Sequence, residues 1–186
     1  MLEKAVTARL FLVWATAGFV ASAALHLATF TPLEPPVGDA PALALFAGAF
    51  VPLLAMLARL RRARAPIVSA GRFRVYSWRA LASLVPERIR VLAFGMILYV
   101  LMNLVLSLAL GGGATATVSD GKLYLAEAGG GRREVSREEY AAHRRLTGRL
   151  LSGHLLLFFL VPLIYFRFVD PRLAELGAAA SQGGRP

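Results

Sequence analysis

Residues 91–110 read VLAFGMILYVLMNLVLSLAL, an unbroken apolar run without a charged side chain, in which Tyr99, Asn103 and Ser107 are the polar interruptions. As an α-helix rising 1.5 Å per residue, a run of about 20 residues covers about 30 Å, the thickness of a bilayer's hydrocarbon core. The run therefore predicts a transmembrane helix. Working outward from it, residues 10–33, 40–58 and 150–166 are also free of Asp, Glu, Lys and Arg, although the chain carries 21 basic and 11 acidic side chains. These gaps place spans at 10–30, 41–58, 91–110 and 150–166. The second and fourth are short, so Arg59, Arg149 and Arg167 beside them are expected to snorkel to the interface, and Pro52 and Pro162 to kink them. The composition agrees: 57% of the 186 residues are hydrophobic and the mean hydropathy is +0.60, above the roughly 45–50% apolar share of a soluble domain. Buried helices of a soluble protein would not need four such runs.

Orientation follows from the arginines, because basic residues in short loops stay on the cytoplasmic side. Residues 59–90 hold nine arginines against the single acid Glu87, whereas residues 31–40 hold Glu34, Asp39 and no basic residue. The first loop is therefore expected outside, the second inside, and both termini in the cytoplasm. Ala21-Ser22-Ala23 resembles a signal-peptidase site, yet the apolar run continues through Leu25 and Leu27 to Phe30, which is span length, and retention of the first span is expected. The net charge of +10 lies mainly in the 59–90 loop, where topology and anionic lipid headgroups account for it; nucleic-acid binding is not expected. Phe73, Val75, Tyr76, Trp78, Leu81, Leu84 and Val85, interleaved with Arg72, Arg74 and Arg79, predict a short interfacial helix that Pro86 ends. The chain has no cysteine, which excludes disulfides and thiolate chemistry. Nineteen arginines against two lysines suit a GC-rich bacterial genome, hence a bacterial inner membrane. Residues 171–186, rich in Ala, Gly, Ser and Gln, read as a disordered tail.

Between the third and fourth spans, 115–118 and 122–126 flank Ser119-Asp120-Gly121, and Asp-Gly accepts the positive φ of a tight hairpin turn. Residues 132–135 add a third short strand after Gly129 to Gly131. Ser136 and Glu139 have capping-box spacing, so a helix should start there and run through Tyr140, His143, Arg144 and Arg145 into the last span unless Gly148 or Gly153 bends it. The fold class is thus an all-α membrane protein, a four-transmembrane-helix bundle with a small extracytoplasmic β-hairpin between helices three and four.

Asp120-Gly121-Lys122-Leu123-Tyr124, the run Arg133-Glu134-Val135-Ser136-Arg137-Glu138-Glu139-Tyr140, Ser152-Gly153-His154 and Leu25-His26-Leu27 together resemble a family of small bacterial four-span membrane proteins with no known activity. The resemblance covers most of the chain. It implies the same topology and brings no substrate or cofactor.

Polar side chains inside a membrane are costly and usually face the bundle. His26 and His154 each lie four residues inside the outer ends of their spans, about 6 Å deep, and Asn103 about 10 Å deep with Ser107 nearer the surface. A polar layer in the outer leaflet is expected. Ala15, Gly18, Ser22 and His26 share one helical face and form a small-residue stripe. Met96, Tyr99, Asn103 and Ser107 share another; His154 shares its face with Leu150, Phe158 and Val161; and Ala44 and Gly48 give span two its own small-residue surface. In one reading the histidines, Asn103, Ser107 and Ser22 hydrogen-bond across helices and fix register, each bond contributing about 0.6 kcal/mol. In the alternative, His26 and His154 clasp a b-type haem or another metal; a quinone or lipid pocket is the third. His143, about 16 Å along the helix from His154, stands apart.

No phosphate-binding loop, zinc-protease motif or serine-hydrolase elbow is present, and no span holds the carboxylate that ion-coupled transport uses. The expectation is a non-enzymatic scaffold or accessory subunit of the membrane. Its partners would be anionic headgroups at residues 59–90, other membrane proteins, or a second copy of itself.

Overall fold

The computed structural model describes residues 2–31, 39–62, 67–70, 73–76, 78–111, 114–126 and 129–183. Most of the expected first outer loop, Gly112 and Gly113 after the third span, and residues 184–186 of the tail lie outside them. The chain is mostly helical. Its long helices are α1 (Leu2–Ala28), α2 (Asp39–Arg62), α4 (Glu87–Gly111) and α5 (Arg137–Ile164), with the short α3 (Trp78–Ser83) between the second and third. Four helical segments, Val6–Ala28, Leu43–Arg62, Glu87–Leu110 and Arg137–Leu176, are long and apolar enough to cross a membrane. Each overlaps one of the four uncharged runs of the sequence, and the third and fourth contain theirs whole.

α5 is the hub, against which α1, α2 and α4 all pack. Its buried residues Ser152, Leu155, Leu156, Phe159 and Leu160 recur at helical spacing, which builds one wide contact face. Gly18 explains the closeness of α1: a Cβ there would run into the Phe159 ring, so only glycine lets that backbone seat on the aromatic face. α1 also packs on α2, whereas α4 leans chiefly on α5. Val91, Leu98, Leu101 and Val105 of α4 face outward.

Pro162 supplies no N–H to the ladder. Three residues later α5 widens into a π-turn, Tyr165–Val169, a feature often found where side chains are re-aimed. Tyr165, Phe166 and Val169 there close a core with Met56 and Leu60 of α2 and with Leu81 and Val85. Phe11 stacks on Phe166 with centroids 5.5 Å apart. The helix then continues as α6 (Asp170–Gly183). Composition suggested disorder from Pro171 onward; instead the helix continues through the π-turn past Pro171, and Leu173, Ala174, Glu175 and Leu176 are strong helix formers carrying on a helix already nucleated.

The arginine-dense link also differs from expectation. β1 (Ile67–Ala70) and β2 (Phe73–Tyr76) are antiparallel and pair Ile67 with Tyr76 and Ala70 with Phe73, and among the described residues between α2 and α4 the helical ones are Trp78–Ser83. Ile67, Val68 and Val75 are β-branched, and Phe73-Arg74-Val75-Tyr76 alternates apolar with polar or amphipathic side chains, a period of two that suits a strand.

At the other end β3 (Thr115–Ser119), β4 (Lys122–Ala126) and β5 (Arg132–Glu134) form a three-stranded antiparallel sheet, a strand more than a hairpin. Ser119 pairs with Lys122, leaving Asp120 and Gly121 as the turn at φ 51° and 73°. Positive φ at both positions defines the turn that Asp-Gly favours. Ser136 caps α5 by accepting from the Glu139 N–H at 3.2 Å. The reciprocal half of the expected capping box is replaced, because the Glu139 carboxylate takes two bonds from the Arg133 guanidinium at 2.5 and 3.2 Å. His143 Nε2 bonds the Ala114 carbonyl oxygen at 2.8 Å, tying the sheet to α5.

Candidate functional site

The polar side chains of the long helices gather at the sheet end of α1, α4 and α5. α1 brings Ser22, His26 and Thr29, each one turn above the last; α4 brings Tyr99, Asn103 and Ser107 at spacings of four; α5 brings Arg149 and Ser152. All except Tyr99 and Arg149 are buried. Close approach at this level depends on Gly153, where a Cβ would lie 2.7 Å from Asn103 Nδ2.

His26, 5% exposed, is held through both ring nitrogens. Nδ1 lies 2.9 Å from Ser152 Oγ, and Nε2 meets the Tyr99 hydroxyl. The serine fixes the tautomer. Ser152 Oγ has one proton and donates it to the Gly148 carbonyl at 2.7 Å, so it can only accept from His26. Nδ1 therefore carries the imidazole proton, and Nε2 accepts from the Tyr99 phenol. The chain of donors runs from Tyr99 to His26 to Ser152 to the α5 backbone. Phe30 and Tyr99 contact the imidazole edge-on, with centroids 5.4 and 5.5 Å away, a favoured arrangement of aromatic rings.

Arg149 closes the top of the junction. Its guanidinium donates to the Thr29 carbonyl at 3.2 Å and stands 3.9 Å above the Phe30 ring, so it caps the C-terminal end of α1, where cations are favoured. The Thr29 hydroxyl donates to the His26 carbonyl at 2.6 Å. Asn103 Nδ2 donates to the Arg149 carbonyl at 3.0 Å. The hydroxyls of Ser22 and Ser107, 0% and 6% exposed, have no hydrogen-bond partner among the described residues.

His26 and the residues sharing its face lie where the spacing put them. His154 does not join them. Its Nδ1 bonds the Leu150 carbonyl of its own helix at 2.8 Å. The face it shares with Phe158 and Val161 turns away from His26: Phe158 meets Phe46 and Phe50 of α2, and Val161 is exposed. Ser152, two residues earlier, takes the place beside His26. Its hydroxyl could have been anticipated from Ser152-Gly153, a small-residue step on the face that also holds Leu155, Leu156 and Phe159. Among the described residues no group of three or more His, Cys, Asp or Glu side chains is placed to share a metal ion.

A second polar contact, absent from the sequence reading, lies at the opposite end. Arg59 of α2 donates to Asp170 Oδ2 at 2.7 Å, and the Tyr165 hydroxyl donates to Oδ1 at 3.2 Å. The π-turn brings Tyr165 and Asp170, five residues apart, together. Their spacing and separation from Arg59 left no local signal.

No family model, curated protein or solved structure matches the chain.

Proposed function

We propose that this protein is an integral membrane protein of the bacterial inner membrane, crossing the bilayer four times with both termini cytoplasmic, and that it serves as a non-enzymatic scaffold or accessory subunit. The observation that carries the reading is the division of polarity. Ser22, His26, Asn103, Ser107 and Ser152 of the apolar helices are buried, and His26, Asn103 and Ser152 hydrogen-bond across helices, while Val13, Val20, Leu54, Leu101 and Val105 face outward. In hydrocarbon, unpaired polar groups are costly and apolar surface is not. The exposed Arg61, Arg62, Arg79, Arg88 and Arg90 around the 59–90 link suit the cytoplasmic interface and its anionic headgroups, and the sheet then stands outside.

The partner surface in this reading is the outward face of α4, available to another membrane protein or a second copy. A photoreactive amino acid at Leu101 or Val105 should give one discrete protein adduct in native membranes. Adducts with lipid alone would remove the scaffold reading.

One feature supports the haem or metal alternative: donation from His154 Nδ1 to the Leu150 carbonyl leaves Nε2 of that histidine with its lone pair, the state a metal ligand needs. His26 would have to give up Tyr99 or Ser152 to serve as its counterpart. A Soret band in protein purified from haem-replete cells, lost in both His26→Ala and His154→Ala, would establish this alternative; a colourless, metal-free preparation ends it.

A further inference from the structure

The acceptor side of His26 is closed by a replaceable group. Ser152 fixes the imidazole proton on Nδ1, so Nε2 presents a lone pair toward α4, and the group resting on it is the phenol of Tyr99. Tyr99 is 37% exposed. α1 and α4 both pack on α5 and scarcely on each other, so the contact between them at this level is His26 against Tyr99, with Tyr99 on the outward side. One turn from His26 on α1, and two turns from Tyr99 on α4, the buried hydroxyls of Ser22 and Ser107 have hydrogen-bonding capacity that no group among the described residues uses. Buried unpaired hydroxyls are uncommon and call for an occupant.

The chemistry of that occupant is constrained. A lone pair on Nε2 selects a hydrogen-bond donor. The edge-on aromatic contacts of Phe30 and Tyr99 around the imidazole suit an aromatic ring, and the exposed apolar side chains beside Tyr99, Leu98 and Met102, suit an apolar tail. Among the described residues the helices carry no acid at this depth, and the one strong cation, Arg149, is engaged by the Thr29 carbonyl and the Phe30 ring, which favours a neutral molecule. The Tyr99 phenol already shows that a hydroxyaryl group fits on Nε2.

We propose that the α1–α4 seam binds a lipid-soluble hydroquinone, whose phenolic hydroxyl takes the place of the Tyr99 hydroxyl on His26 Nε2. The site rests on the membrane reading above and is independent of the scaffold role. Its specificity follows from the tautomer at Nε2: the reduced hydroquinone donates a hydrogen bond to that atom, whereas the oxidised quinone presents an acceptor to its lone pair, and the Ser22 and Ser107 hydroxyls, which can donate or accept, serve either form alike.

The test uses the full chain in lipid nanodiscs, titrated with decyl-hydroquinone and with decyl-quinone against empty nanodiscs. The hydroquinone should bind saturably and at least about fivefold more tightly than the quinone, the worth of one hydrogen bond. His26→Ala should lose that preference. Tyr99→Phe, which keeps the ring and frees Nε2, should tighten hydroquinone binding by about the same factor. Equal affinity for the two forms, weakened binding in Tyr99→Phe, or uptake no greater than that of empty nanodiscs would overturn the site, the last outcome leaving water as the occupant of the seam. The Tyr99→Phe result decides the matter even if His26→Ala fails to assemble. A chain that stays soluble without detergent would fail earlier and remove the membrane reading itself.

Discussion

Ser22 and Ser152 are buried serines on facing helices, yet replacing each with alanine should have opposite effects. Ser152 accepts from His26 Nδ1, so Ser152→Ala strands a buried N–H and should cost about 1–3 kcal/mol. Ser22 Oγ has no partner among the described residues, so Ser22→Ala should leave stability unchanged or raise it by up to about 1 kcal/mol. Thermal unfolding in detergent compares the two directly. The glycines divide in the same way. Gly18→Ala drives a methyl into the Phe159 ring and should cost about 1–3 kcal/mol, whereas nothing lies within 4 Å of a Cβ on Gly95 and Gly95→Ala should shift stability by less than about 1 kcal/mol. At this scale the sequence was informative about depth and poor about pairing. Spacing put His26 with Ser22 and Tyr99 with Asn103 and Ser107. It could not show that α5 would present Ser152 in place of His154, because the two residues point about 160° apart on the helix by its 100° step and only packing decides which direction is the core.

The elements are joined by contacts that differ in how they respond to solvent. Arg59 and Asp170 tie α2 to the helix leaving the π-turn, with side chains 22% and 18% exposed. Asp170→Ala should cost about 1–2 kcal/mol, between the values for surface and buried pairs, and a double-mutant cycle with Arg59→Ala isolates the coupling. The sheet is held by exposed pairs instead. The Arg133 guanidinium, hydrogen-bonded to Glu139, holds that carboxyl below its ordinary pKa; the Glu134 carboxylate holds the Lys122 ammonium above its own. A depressed carboxyl contributes stability above its unfolded pKa and loses it as pH falls through the folded value; a raised lysine contributes below its unfolded pKa and loses it as pH rises through the folded value. Amide protection in β4 and β5, taken relative to the intrinsic exchange rate at each pH, should therefore be highest between the carboxylate and lysine ranges and fall at both extremes. Glu139→Gln should remove most of the acid limb. The Asp-Gly turn and the Ser136 cap were legible because they are local chemistry. The paired strands 67–70 and 73–76 and the helical continuation beyond Pro171 were not: arginine-rich composition obscured a period of two, and tail-like composition says nothing about a helix inherited from the preceding turn.

Across the whole molecule, one nearly continuous helix from Arg137 to Gly183, roughly 70 Å at 1.5 Å per residue, links the sheet to the opposite end, and the other long helices lean on it. The four apolar runs were plain in the sequence because length and freedom from charge sufficient to cross a membrane are properties of a single segment. The hub position of α5 was not, since all four runs are comparably apolar and their mutual packing depends on small residues such as Gly18 and Gly153. The central claim is that these helices span a bilayer with the arginine-rich link inside and the sheet outside. The absence of native cysteine makes it directly measurable: single-cysteine variants Ser119→Cys, in the sheet, and Ser83→Cys, after the paired strands of the arginine-rich link, are exposed to a membrane-impermeant maleimide on intact spheroplasts and again after lysis. The account predicts labelling of Ser119→Cys in intact cells and of Ser83→Cys only after lysis; the reverse pattern, or both variants in the soluble fraction, would contradict it.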